Sequence, residues 1–295
     1  MKKFIILIPL FNDWKSVSKL LSEIDLQIEN WDALVSIILV NDASTEKRPE
    51  FDFNFKKIKS VKILNMKKNT VHQRCIAAGL KYIYKNEDFE HVIVMDADGE
   101  DRPEELNDFF KKSQENPSST ITGNRFKRSE GLVFKILYEL HKLLTLIFTG
   151  KLIKFGNFSC LPKNHVKQLI TKPYLWNSYS SSVVKTISDR TFIPSIRGIR
   201  YVQPSKMNFM ALVFHSLAII SVFRNAVIVR SIAYFLVYLF FFFNKLSALT
   251  IIPIILLLFF VFIILKISTR TNMEGLDKSL DNIGSIDILK NSDGR

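Results

Sequence analysis

His91–Leu106 reads HVIVMDADGEDRPEEL. The apolar run His91–Met95 suits a short strand buried on both faces. It stops at Asp96-Ala97-Asp98-Gly99-Glu100-Asp101, and Pro103 then opens a helix with Glu104 and Glu105 in its favoured first turn. Alternate residues at a strand end point the same way, so Asp96 and Asp98 can face one space, and Glu100 lies one alternation further on. Two neighbouring carboxylates repel unless a cation neutralises them. Mg²⁺ or Mn²⁺ is commonly held by one or two carboxylates plus substrate phosphates, where it clamps a diphosphate and stabilises its charge as it leaves. An isolated D-x-D is more often a solvated turn before a helix. Here the strand before it and the other strand ends of the chain reverse that balance.

Those other strand ends lie upstream. Phe4–Pro9 is an apolar run followed by Phe11-Asn12-Asp13, and Leu34–Val40 is followed by Asn41-Asp42-Ala43-Ser44-Thr45. Val61–Leu64 is a further strand. Between them, Trp14–Ile28 and Val71–Tyr84 carry apolar residues at helical spacing. Alternating strands and helices predict an α/β fold, a mostly parallel sheet with helices on both faces, whose ligands bind at the carboxyl ends of strands. Three such ends here carry carboxylates. No G-x-G-x-x-G and no P-loop is present, which excludes the usual dinucleotide and ATP cradles. The N-terminal MKKFIILIPLF mimics a signal peptide, but Asn12-Asp13-Trp14 follows with no small-residue cleavage site, so a buried first strand explains it better.

Charge and apolar content are unevenly spread along the 295 residues. Residues 1–101 hold 15 Lys/Arg against 16 Asp/Glu, residues 102–230 hold 20 against 7, and residues 231–295 hold 6 against 5. The middle segment therefore carries the whole excess of +13. Downstream come two apolar runs, Ala226–Phe243 and Leu246–Ile267, separated only by Asn244 and Lys245. Each is long enough to cross a hydrocarbon core of about 30 Å, so residues 226–267 read as a transmembrane hairpin. Arg224, Arg230, Lys266 and Arg270 flank its outer ends, which puts both on the cytoplasmic side of an inner or plasma membrane. Residues 206–225 read as an interfacial helix, residues 268–295 as a loosely ordered polar tail, and residues 1–205 as the catalytic domain. The basic excess suits lipid headgroups and a lipid phosphate; no nucleic-acid motif accompanies it. Cys75 and Cys160 are too few for a disulfide framework and read as reduced thiols.

The first 125 or so residues resemble the family 2 glycosyltransferases, which have the nucleotide-sugar-binding GT-A fold. IPLFND (8–13) is similar to that family's first-strand motif, and VNDASTE (40–46) to its second-strand V-D-D-x-S-x-D. NTVHQRCIAAGLKY (69–82) resembles the helix that follows an N-x-G turn, here without the usual glycine. VMDADGEDRPEEL (94–106), GNRF (123–126) and IRGIRYVQPSKMNF (196–209) resemble segments of the polyprenyl-phosphate, dolichol-phosphate mannose synthase-like branch. GKLIKFGNFSCLPKNHV (150–166) departs from the acceptor segment of that branch, and the arginines expected in the preceding helix are replaced by Lys135, His141 and Lys142.

The resemblance implies roles residue by residue. Pro9, Phe11, Asp13, Asp42 and Asp96 would bind the nucleotide. Asp96, Asp98 and Glu100 would hold the metal and diphosphate. Arg125, Arg200 and Lys206 would gather phosphates by charge-assisted hydrogen bonds and, with Asp98, carry the catalysis. The expected reaction is inverting transfer of a sugar from a nucleoside-diphosphate donor to a polyprenyl phosphate. A hydroxyl of a lipid-linked oligosaccharide or polysaccharide is the rival acceptor, and it would need a base, with Asp101 or Glu100 as candidates. A membrane scaffold that keeps the fold without the chemistry is the reading from another class. The residues do not set the oligomeric state, and nothing raises His72 or His141 above solvated histidines.

Overall fold

The computed structural model describes residues 1–50, 54–127, 132–202, 209–245 and 247–290. The chain begins with β1 (Lys2–Leu10), α1 (Trp14–Gln27), β2 (Ala33–Asn41), β3 (Ile58–Met66), α2 (His72–Asn86) and β4 (His91–Val94). It continues through a 3₁₀ turn (Pro103–Glu105) into α3 (Leu106–Glu115), β5 (Thr120–Lys127), α4 (Leu132–Thr149), β6 (Ser159–Pro162), α5 (Lys163–Leu169), α6 (Tyr179–Thr186) and β7 (Arg190–Ile196). The remaining elements are α7 (Phe209–Ser221), α8 (Arg224–Phe242), α9 (Ala248–Ser268), α10 (Met273–Asp277) and β8 (Ile283–Lys290).

One sheet runs β7-β5-β6-β4-β1-β2-β3-β8. Strands β4, β1, β2 and β3 are mutually parallel, while β6 and β8 run antiparallel to their neighbours. The strand period explains why the first strand has no polar face. Phe4, Ile6 and Ile8 enter one core with α1 and α3, and Ile5 and Leu7 enter the other with α2 and α5. α1 presents Val17, Leu20, Leu21 and Ile24 to its core, the stripe its spacing predicts. On the opposite face α2 lies close to β1, because a Cβ at Gly79 would stand 2.5 Å from a Leu7 methyl. β1 has β2 on one side and β4 on the other, so the strand order changes direction there, and in such sheets a ligand crevice lies at the carboxyl ends of the strands flanking that point.

α8 and α9 are long and apolar enough to cross a membrane, with mean hydropathies of 1.8 and 3.2. Only 11% and 6% of those windows are buried, so the other described residues leave most of their apolar surface uncovered. Ser247 and Thr250 form a capping box that starts α9 cleanly after the turn. α4 packs across the base of this pair: Ile147 O accepts from Arg230 Nη1 at 3.1 Å and Tyr234 Oη at 2.7 Å, and Phe148 meets Phe260 at 4.4 Å between ring centres.

The polar C-terminal tail differs from expectation. After α9 it does not trail away. It forms α10, a 3₁₀ turn (Lys278–Asn282) and then β8, which pairs with β3 from Met66↔Ile283 to Val61↔Lys290. The reason is the open edge of β3: its unpaired N–H and C=O groups need partners, and residues 283–290 supply them. The sheet thus draws a strand from outside residues 1–205.

Candidate functional site

Three strand ends meet at the crevice, and each bends through a residue that is not glycine in the left-handed region: Asn12 (φ 50°) after β1, Ala43 (φ 55°) after β2 and Val71 (φ 70°) before α2. Such backbone costs about 1–3 kcal/mol per residue and tends to collect at functional sites. Asn12 makes its bend useful: its Oδ1 accepts from the N–H groups of Thr45 (2.8 Å) and Glu46 (3.0 Å), and its own N–H donates to Ser44 Oγ (2.9 Å). The β1 and β2 ends are thereby locked together. Asp42 is buried, with Oδ1 accepting from the Thr70 N–H at 2.7 Å and the Thr70 hydroxyl at 3.2 Å. Asn69 Nδ2 donates to the Asp42 carbonyl at 3.1 Å. Val71 stands where the N-x-G turn has glycine and adopts the conformation that a glycine would take at no steric cost.

The β4 end is different in kind. Asp96 faces the N-terminus of α2, with Oδ1 3.1 Å from His72 Nε2 and accepting from Asn157 Nδ2 at 2.9 Å. Asp101, fully turned in, accepts from the Asp96 N–H at 2.9 Å and from Arg125 Nη2 at 3.4 Å. Asp98 Oδ1 accepts the Glu100 N–H at 2.9 Å, while its Oδ2 pairs with Arg200 Nη1 at 2.5 Å. Arg200 Nη2 reaches Asp13 Oδ2 at 3.0 Å, and Arg197 pairs with Glu100. A strap of residues 197–201 lies along this acidic loop. The Gly198 N–H donates to Glu100 O at 2.8 Å and the Tyr201 N–H to Asp98 O at 2.9 Å. The Tyr201 ring covers Gly99, whose φ of +85° and lack of a Cβ both matter: a Cβ there would stand 2.5 Å from the ring. Tyr201 Oη is anchored on Glu23 of α1.

These contacts shift the carboxyls in opposite directions. Burial pushes Asp98 up to about 6, helped by repulsion from Asp96 and Glu100 and opposed by Arg200. Burial and the Asp96 charge push Asp101 up to about 7. Burial also disfavours ionised Asp96, but His72, Asn157 and Arg125 outweigh it and hold that carboxyl below the usual range. His72 is raised, because attraction from Asp96 exceeds its desolvation.

Among the described residues no three acidic, histidine or cysteine side chains converge as a closed metal site. The acidic loop nevertheless offers carboxylate oxygens, which suit a hard divalent cation, and burial together with like charge raises Asp98. A cation of this kind takes one or two carboxylates and completes its shell with substrate phosphates and water. Asp96, Asp98 and Glu100 are the candidates, of which one or two could hold it. The Arg200 Nε is buried without an acceptor among the described residues, and a phosphate oxygen would satisfy it.

The other residues singled out from the sequence fall as follows. Pro9 is buried within β1 opposite Val40, behind the crevice, whereas Phe11 is exposed at its rim. Arg125 lies on β5, its side chain 11% exposed, beside Asp101. Arg200 meets carboxylates of two strand ends. Lys206 and the Lys135 side chain lie outside the described residues. Sequence reasoning passed over Asn157, Arg197 and Tyr201, and read His72 as a solvated histidine, whereas it pairs with Asp96. His72 opens a helix beside an acidic strand end, which is a usable signal; Asn157 reaches Asp96 across 61 positions and leaves none.

In a mostly parallel α/β sheet, strand ends with acidic and basic side chains gathered at them are the kind of place where such sheets bind ligands. The family model Glycosyl transferase family 2 matches residues 5–169. The chain belongs to that family and is a glycosyltransferase. Among solved structures, mannosyl-3-phosphoglycerate synthase from Rubrobacter xylanophilus is similar at TM-score 0.53 and 13% identity, over 78% of this chain and 74% of that one. Glucosyl-3-phosphoglycerate synthase from Mycobacterium tuberculosis, in complex with Mn²⁺, UDP-glucose and phosphoglyceric acid, is similar at 0.52 and 11%, over 78% and 79%. S. aureus TarS 1-349 in complex with UDP-GlcNAc is similar at 0.51 and 15%, over 96% and 89%. At these identities the likeness is one of fold, and the fold is GT-A-like. No curated relative matches the chain.

Proposed function

We propose that the chain transfers a sugar from a nucleoside-diphosphate donor to a polyprenyl-phosphate carrier at the cytoplasmic face of a membrane, as in the dolichol-phosphate mannose synthase-like branch. The observation that carries the reading is the crevice itself. Carboxylates of two strand ends, Asp13 and the Asp96–Asp101 loop, meet Arg200 and Arg125, and Asp42 stands at the end of a third, held by Thr70. A pair of apolar helices follows downstream, beginning at Arg224. Asp13, Asp42 and Phe11 would receive the base and ribose, and Mg²⁺ or Mn²⁺ on Asp96, Asp98 and Glu100 would neutralise the departing diphosphate. Arg200 would exchange its carboxylate partners for phosphate oxygens, with Arg125 and Lys206 beside it.

A hydroxyl acceptor is the second reading. It needs a general base, and Asp101, raised to about 7, has a suitable pKa. Both its oxygens are engaged, by the Asp96 N–H and by Arg125. That favours an acceptor that is already an anion. The test is a panel of UDP- and GDP-sugars carrying radiolabel, given to the protein in membranes containing polyprenyl phosphate. Label extracted into organic solvent is the expected result; label found only in polymer would establish the second reading instead.

A further inference from the structure

The segment that follows the apolar hairpin is tied to the donor side of the crevice at several points. Only residues 269–272 separate α9 from α10. α10 is held by Lys81, a buried α2 lysine whose Nζ donates to Leu276 O at 3.0 Å and Asp277 Oδ1 at 2.7 Å. The chain then reaches the turn that leaves β3. The Lys67 N–H donates to Asn282 O at 2.7 Å, Lys67 Nζ to Asp281 O at 2.8 Å, and Asn282 Nδ2 returns a bond to Lys68 O at 3.1 Å. The next two residues of that turn, Asn69 and Thr70, are the ones that bind Asp42. A second line runs through side chains: Ser285 Oγ accepts from Asn65 Nδ2 at 3.1 Å, Asn65 Oδ1 accepts from Asn41 Nδ2 at 2.9 Å, and Asn41 Oδ1 accepts the Ser44 N–H at 3.0 Å. Arg48, beyond the same loop, pairs with Asp287 at 2.5 Å.

We propose that residues 273–290 are a positioning element of the donor site: they fix the turn at residues 66–70 and the loop at residues 41–48, and so set Asp42 for the nucleotide. The inference rests on the donor reading above. Its physical basis is that a hydrogen-bond acceptor aids binding only when it is already held in place, and the residues that hold Asp42 are themselves held by chain from beyond the hairpin. Donor affinity is then a property of the whole chain, acquired when its last strand docks.

The test uses the full chain in nanodiscs. UDP and GDP binding is measured by calorimetry for the wild type and for the double variant Asn282→Ala/Ser285→Ala, with donor KM and kcat measured alongside. Affinity should fall about five- to tenfold, the scale of one or two lost hydrogen bonds. The donor KM should rise with it, while kcat at saturating donor stays unchanged. Ser285→Thr, which keeps the hydroxyl, should bind as the wild type does. In hydrogen exchange, nucleotide should protect residues 66–70 and 281–290 together. A double variant that binds like the wild type, or exchange at 281–290 that ignores the nucleotide, overturns the inference and leaves the donor reading standing. A wild type that binds neither nucleotide removes both.

Discussion

The two banks of the crevice are built on different principles. On the β2–β3 side, polar groups meet neutral partners: Asn12 with Thr45 and Glu46, Asp42 with Thr70, Asn41 with Asn65. On the β4 side, charge meets charge: Asp98 with Arg200, Glu100 with Arg197, Asp96 with His72, Asp101 with Arg125. The first bank is a fixed mould, since main-chain hydrogen bonds set it before any ligand arrives. The second is a set of cancelling charges, each able to trade its partner for a cation or a phosphate. A donor with a neutral base and a charged diphosphate calls for such a division. On the donor reading proposed above, the mould would read shape and the charged bank would respond to charge.

The contrast can be broken experimentally, most severely at the charged bank. Asp98→Asn should lower sugar transfer about 10³-fold, the usual scale for losing a group that stabilises transition-state charge, and EDTA should do the same to the wild type until Mn²⁺ is restored. Undiminished turnover in the variant would remove Asp98 from the metal. Arg200→Ala should raise the donor KM roughly 10- to 100-fold, the worth of a charge-assisted hydrogen bond; an unchanged KM would leave Arg200 as a strap residue only.

Asp101→Asn sharpens the comparison through pH. The folded pKa of Asp101, about 7, lies above its ordinary value of 3.8. Between those values the folded state holds the proton more tightly than the unfolded state, so ionisation costs stability as pH rises. The variant escapes that cost. In thermal melts its advantage over the wild type should widen from pH 5 to pH 7 and level off above, by about 2–4 °C per kcal/mol. A gap that ignores pH would mean Asp101 titrates normally. The smallest effect belongs to the mould: Val71→Gly should raise the melting temperature by about 2–4 °C, relieving roughly 1 kcal/mol of backbone strain. A lower melting point would show that no strain is stored at Val71.

Much of the sheet was legible because buried parallel strands are short apolar runs and their ends are polar. Phe4–Pro9 and His91–Met95 carry that signal without ambiguity, and the apolar hairpin carries an even stronger one. β8 escaped notice for a physical reason. GSIDILK alternates apolar and polar residues in a segment otherwise rich in charge, and only the unpaired edge of β3 turns it into a strand. Likewise, the acidic loop announced Asp96, Asp98 and Glu100, but their partners stand far off in sequence. Arg200 meets Asp98 across 102 positions and Asn157 meets Asp96 across 61, and no local pattern encodes such pairs. Val71 hid because a β-branched residue gives no sequence signal of a positive φ.

The pairing of β8 with β3 also imposes a rule of parity. The chain leaves the sheet after β7 and returns to it at β8. Hydrogen bonds between adjacent strands cannot be made across a bilayer, so the chain between them must cross one an even number of times. If both cross, as proposed above, α8 and α9 count as two. α7, with 13 residues, is about 20 Å long against a hydrocarbon core of about 30 Å, and a third crossing would carry β8 to the wrong side. On the membrane reading proposed above, α7 would therefore stay on the sheet's own side.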